Sequence, residues 1–196
     1  MLTFAESWSK PMKTLLTVFL ALCSFSLLSC SKERPTGVTV GPGPTFSFTG
    51  SGRLASFTIY SPQTGQRIAL PDSDVASVLW QIRTSKGYFN GSQVEGFRLA
   101  YGKIPEGYTV TMPSLSQPAP SLASGLVYSF LAETTDAPIT EGYFFMDGAE
   151  VIQTTIPDAC LMLVNGHETR VNCATKQPYQ EPSNLEEVVR KNRVAR

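Results

Sequence analysis

Apolar and polar positions alternate with a period of two through most of this chain, and the period of a helix enters only near its end. Ala55, Phe57 and Ile59 share one face of such an alternation. Val78, Trp80 and Ile82 share another, with Gln81 and Arg83 opposite. Phe97, Leu99 and Tyr101 repeat the pattern around Arg98, and Leu126, Tyr128, Phe130 and Ala132 form a fourth stripe. Each stripe predicts a strand with one face to bury, and stripes of this kind are satisfied by packing two sheets face to face.

Turn chemistry places the connections. Asp147-Gly148 lies between Tyr143–Met146 and Ala149–Ile152 and predicts a two-residue type I′ hairpin, with Met146 opposite Ala149 and Phe144 opposite Val151. Asn90-Gly91 offers a second turn of that kind with weaker flanks. Between Ile104 and Pro120 stand Pro105, Pro113, Pro118 and Pro120, which leaves Tyr108–Met112 as the one strand there, at a sheet edge where proline neighbours are tolerated. Ser183-Asn184-Leu185-Glu186 reads as a capping box opening a short helix with Leu185, Val188 and Val189 on its apolar stripe.

The N-terminus carries a different pattern. Met12-Lys13 precedes an apolar run from Leu15 to Leu28. That length matches the apolar region of a secretory signal, about 7–15 residues, and falls short of the roughly 20 apolar residues a membrane span needs. Met1–Pro11, with Glu6 and Trp8, is a poor start to such a signal, so translation is expected to begin at Met12. The ending Leu27-Leu28-Ser29-Cys30 resembles the lipobox of bacterial lipoproteins. The resemblance implies cleavage before Cys30, diacylglycerol on its thiol, and membrane attachment through that lipid; Ser31 in place of an aspartate implies the outer membrane. Two or three acyl chains anchor far more firmly than the single chain that holds a protein only marginally. Residues 1–29 are then the signal peptide, and 30–44, rich in Pro and Gly, a lipidated tether. Residues 45–175 are the folded domain, and 176–196 a tail with the short helix.

Leu122-Ala-Ser-Gly125-Leu-Val-Tyr128-Ser-Phe130-Leu-Ala132 resembles the tyrosine-corner stretch of fibronectin type III domains, with Trp80 on an earlier strand and Val94–Tyr101 similar to the strand after it. The resemblance implies an immunoglobulin-like, all-β antiparallel sandwich, with extra hairpins after Ala132 and the C-terminal helix added. A corner tyrosine fills the core edge with its ring while its hydroxyl requires a buried backbone partner; Trp80 and Tyr128 are the structural residues expected of it.

Once the leader is removed, Cys160 and Cys173 are the cysteines left beside Cys30, and outside the cytoplasm they are expected to pair. The segment between them centres on Asn165-Gly166. A two-residue turn leaves Cys173 diagonal to Cys160 at about 7–8 Å, beyond the Cβ separation of about 3.5–4.5 Å that a disulfide takes. A four-residue loop, Asn165–Glu168, puts them opposite each other and is therefore expected, with Met162, Val164 and Val171 on the sulfur side.

Charge narrows the function. Sixteen Lys+Arg against 16 Asp+Glu argue against a nucleic-acid binder. The basic residues Arg190, Lys191, Arg193 and Arg196 suit either the dipole at a helix end or an anionic surface. His167 is the single histidine and stands beside a turn; it is not expected to be catalytic without an orienting carboxylate. Asp72 and Asp74 read as turn residues and lack the further ligands of a calcium loop. No metal and no cofactor are expected. The reading is a lipid-anchored, non-catalytic envelope module that binds an unidentified protein or glycan. The alternatives are an envelope hydrolase or its accessory subunit, and an inhibitor, since Ser124-Gly-Leu-Val-Tyr128 resembles the SGxxY pattern of membrane-bound lysozyme inhibitors. A groove holding His167 beside a carboxylate favours the enzyme, whereas an aromatic patch on loop tips favours the binding module.

Overall fold

Among the described residues, eleven strands and one α-helix are laid down in the order β1 (Gly37–Gly41), β2 (Thr45–Thr49), β3 (Leu54–Tyr60), β4 (Val78–Thr84), β5 (Arg98–Ala100), β6 (Tyr108–Met112), β7 (Val127–Thr134), β8 (Thr140–Asp147), β9 (Glu150–Thr154), β10 (Ala159–Val164), β11 (His167–Asn172) and α1 (Leu185–Lys191). This computed structural model describes residues 34–69, 77–114, 117–156, 159–164 and 167–195. They belong to one compact unit, Glu33–Arg196.

All the sheets are antiparallel. A three-stranded sheet runs β1-β2-β5, a six-stranded sheet runs β6-β4-β3-β7-β8-β9, and β10-β11 stand apart as a hairpin. The period-two stripes supply the interior between the first two. Phe46 and Phe48 of β2 and Leu99 of β5 meet Phe57 and Ile59 of β3, Trp80 and Ile82 of β4, Tyr128 and Phe130 of β7 and Phe144 of β8. The Phe46 ring centres this core, with centroids 4.6 Å from Phe57, 5.5 Å from Phe130 and 5.6 Å from Phe144. Burying each such ring contributes about 1.5–3 kcal/mol, so these stripes account for the all-β sandwich.

A second, smaller core lies on the other face of β7-β8-β9. Val127, Tyr143, Phe145 and Ile152 are covered there by Ile68 and by Leu185 and Val189 of α1. This explains why β8 reads as a continuous apolar run, Tyr143–Met146, rather than as an alternation: both of its faces are buried.

Several expectations need correction. The proposed tether of residues 30–44 extends too far, because Gly37–Gly41 is a strand paired with β2 from Gly37↔Thr49 to Gly41↔Thr45, and Val40 is buried. The Gln153 side chain clamps that strand, accepting from Val40 N at 2.8 Å and donating to Val38 O at 3.0 Å. The β8-β9 turn is Gly148-Ala149, with Asp147↔Glu150 and Met146↔Val151 in register. Gly148 takes φ +57° as the first loop residue, the position where a II′ turn calls for glycine. Asn90-Gly91 makes no hairpin; Tyr88–Asn90 is a 3₁₀ turn and Gly91 is extended. The capping box is absent, since Asn184 is the N-cap, makes no side-chain cap bond, and instead donates to Glu187 at 3.0 Å. The tail is part of the fold: Val194 N donates to Gln153 O at 2.9 Å, and Thr154 pairs with Arg193. Arg190 pairs with Asp147, and Arg193 with Glu150 at 3.5 Å. The two carboxylates that β8 and β9 set opposite each other are thereby each matched by a cation, which like charges in register need. Tyr108–Met112 is an edge strand, as its prolines required.

Cys160 and Cys173 are bonded, and the loop between them is not the four-residue one. Val164 pairs with His167 and Cys160 with Val171, so only Asn165 and Gly166, outside the described residues, connect the strands. The cysteines still meet because β11 ends at Asn172, whose Oδ1 accepts the N–H groups of Ala174 and Thr175, both at 3.0 Å. That turn takes Cys173 out of the ladder and brings its Cα to 5.1 Å from that of Cys160.

Candidate functional site

The residues singled out from sequence fall into separate places. Cys30, Asp72 and Asp74 lie outside the described residues. Trp80 is core, its ring 5.4 Å from Tyr101 and 6.4 Å from Phe57. Tyr128 reaches back five residues: Ala123 N donates to its hydroxyl at 2.7 Å, and the hydroxyl donates to Ala123 O at 3.3 Å. Burial pushes its hydroxyl above the ordinary tyrosine range, partly offset by the Ala123 bond. Ser124 accepts from Gly148 N at 2.8 Å, and Gly125 N donates to Met146 O. The Ser124–Tyr128 segment is therefore engaged in holding β7 to the β8-β9 turn. His167 sits in β11 opposite Val164, far in sequence from any residue of the cleft described next.

That cleft was not legible as a motif. It forms at the pole of the sandwich where β3 and β6 begin and β4 ends, and its accessible volume is about 410 Å³. Arg53, Lys86, Asn90, Phe97, Glu106 and Tyr108 line it. Its floor is tied together by backbone. Leu54 N donates to Ser92 O at 2.9 Å, Ser92 N to the Tyr108 hydroxyl at 2.9 Å, and that hydroxyl to Leu54 O at 2.8 Å. Arg53 donates from Nη1 to Gly91 O at 2.9 Å. Gly91 is buried against β3 so closely that a Cβ there would stand 1.8 Å from Leu54 O. The close approach of two backbones, and not a special φ, is why glycine occupies this position.

On that rigid floor the walls are charged and exposed. The side chains of Lys86 and Glu106 have no hydrogen-bond or ion-pair partner among the described residues, whereas that of Asn90 is held by its bond to Lys86 O at 2.7 Å. Beside them the 3₁₀ turn projects Tyr88 and Phe89, whose rings meet edge to face at 5.3 Å and remain 50 % and 72 % exposed. Glu106 is the one carboxylate of the lining, and the Tyr108 hydroxyl is committed to the floor. The arrangement offers a cation, an anion and a flat aromatic surface to a ligand. Among the described residues no group of three or more His, Cys, Asp or Glu is placed to hold a metal ion. Set against protein-family models, curated proteins and solved structures, the chain finds no match in any of the three.

Proposed function

We propose that this chain is a lipid-anchored, non-catalytic module of the bacterial cell envelope, attached through Cys30 to the outer membrane, which binds an envelope protein or glycan through the Arg53–Lys86–Glu106 cleft. The observation that carries the binding role is that the Lys86 and Glu106 side chains, without a partner among the described residues, stand on the wall of a cleft whose floor is tied together by hydrogen bonds. Loop side chains held on a rigid frame are where binding groups concentrate. A single carboxylate in the lining supports binding over a hydrolase that needs an acid and a base. The sandwich itself supports the immunoglobulin-like reading, since β1-β2-β5 face β4-β3-β7-β8, three strands against four, with β6 and β9 added at the edges.

The test is made in intact cells. Photo-crosslinking side chains at positions 86 and 106 are expected to give the same discrete adduct, and one at Gln63, on the opposite pole, none. Equal labelling from all three positions refutes the cleft as a binding site. Cys30→Ala is expected to move the protein from the membrane to the soluble fraction; retention in the membrane refutes the anchor.

A further inference from the structure

Three of the five large apolar side chains that stand exposed among the described residues, Tyr88, Phe89 and Ile139, gather where the described chain enters the domain; Ile104 and Leu163 are the other two. The described body begins with Arg34–Thr36, and these residues are fastened to the pole that holds the cleft. Arg34 N donates to Ser51 Oγ at 2.8 Å, and its guanidinium meets Glu95 at 3.0 Å. Thr36 O accepts from Thr140 Oγ1 at 2.9 Å, and Thr36 Oγ1 lies 3.2 Å from Thr134 Oγ1. The carbonyl of that same Thr134 accepts the Tyr88 hydroxyl at 3.3 Å. Tyr88, with Phe89 beside it, is thus bonded to the same residue that Thr36 meets. Ile139, 59 % exposed, precedes the Thr140 that bonds Thr36.

Chain length then fixes how far this pole can be from an acyl anchor. Four Cα–Cα steps separate Cys30 from Arg34, a reach of at most about 14 Å when fully extended. This replaces the long tether expected from composition, because Gly37–Gly41 is consumed by the sheet. We propose that the pole carrying Tyr88, Phe89 and Ile139 docks on the bilayer, these side chains entering the headgroup and upper acyl region, so that the cleft opens at the membrane surface. The proposal rests on the reading of Cys30 as the anchor. Phe89 and Ile139 supply the apolar surface that enters, and the Tyr88 ring, its hydroxyl kept on Thr134 O, lies at the headgroup level where tyrosine is favoured. Charge contributes little: Arg34 is matched by Glu95, and Lys86 and Arg53 are balanced by Glu106 and Asp136 at the same pole. Docking is thus expected to be insensitive to salt and to anionic lipid content, unlike that of a basic patch.

The experiment uses the chain from Cys30 to Arg196, which contains the whole compact unit. Because Cys160 and Cys173 are bonded to each other, the Cys30 thiol alone can be coupled to a maleimide-headgroup lipid in phosphatidylcholine vesicles. Phe89→Trp and Ile139→Trp report depth, Gln63→Trp on the opposite pole is the control, and buried Trp80 provides a constant background. Lipids brominated in the acyl chain are expected to quench the added emission at 89 and 139 by about twofold or more, with a blue shift, and to leave that at 63 as in buffer. Emission at 89 and 139 that matches the control overturns the docking. Because the chemical coupling supplies the short leash whatever the cell does to Cys30, that result leaves the anchor reading to be judged by the Cys30→Ala fractionation. Quenching at 89 that is lost when the phosphatidylcholine vesicles are in 500 mM salt, where the Debye length is about 4 Å, overturns the claim that insertion rather than charge holds the pole.

Discussion

Gly91→Ala isolates the close packing under the cleft. Gly91 has φ −68° and ψ 172°, which alanine adopts freely, so the substitution carries no backbone strain. Its Cβ would stand 1.8 Å from Leu54 O, where a carbon–oxygen contact requires about 3.3 Å. The two backbones must separate by roughly 1.5 Å. The Leu54–Ser92, Ser92–Tyr108, Tyr108–Leu54 and Arg53–Gly91 bonds all cross that gap. Overpacking costs about 1–3 kcal/mol and each weakened bond about 0.5–1.5 kcal/mol; since relaxation relieves one at the expense of the other, a loss of about 3 kcal/mol is expected. With a urea m-value of about 2 kcal/mol/M, the midpoint should fall by about 1.5 M. Gly65→Ala is the control, for Gly65 has φ +87° and open space around it, and the left-handed conformation alone costs about 1–2 kcal/mol. A loss at Gly91 smaller than that at Gly65, read by equilibrium urea unfolding, would show that the floor of the cleft yields easily and would refute the rigid-frame argument.

Replacing Cys160 and Cys173 together by Ala should cost about 3 kcal/mol in the chain-entropy model, measured as a lower urea midpoint, with proteolytic nicking appearing first within β10-β11. Glu181→Ala removes the carboxylate that accepts Arg67 N and Ile68 N at 2.7–2.9 Å and should destabilise by about 2 kcal/mol, whereas Arg190→Ala, at a largely exposed pair, should change stability by less than about 1 kcal/mol. Burial raises the hydroxyls of Tyr60, Tyr101 and Tyr128 above their ordinary range. Their protonated forms are thus favoured by the fold, and their contribution, complete below about pH 10, should be lost as pH rises through the raised values. Thermal unfolding followed from pH 8 upward should show that decline, and Tyr128→Phe, which also loses about 1 kcal/mol at neutral pH, should make it shallower.

The alternations around Phe57, Trp80, Leu99 and Phe130 were enough to predict the sandwich, because a strand with one apolar face has to bury it whatever its neighbours are. Proline was enough to put β6 at an edge, since it cannot donate to a ladder. Where two sequence-local signals competed, the long-range contact decided. Gly37–Gly41 is rich in turn formers yet is a strand, because β2 pairs with it and Gln153 clamps its free edge. Ser183 is a good cap in isolation, but the helix begins one residue later, where Leu185 reaches the second core. Asp147 was expected inside the turn and is instead a ladder residue, matched by an arginine more than forty positions away.

By itself, then, the sequence determined most of the strands, the need of the Tyr128 hydroxyl for a nearby backbone partner and the identity of the bonded cysteines, all of which depend on periodicity or on residues near one another in the chain. Only the tertiary structure decided where the chain enters the domain, which charges remain unpartnered, and that Arg53, Lys86, Glu106 and Tyr108 share one cleft beside Tyr88 and Phe89. The physical reason is that these residues come from the loops that follow β2, β4 and β5 and from the first residue of β6, and strand register, not sequence spacing, brings them to one pole.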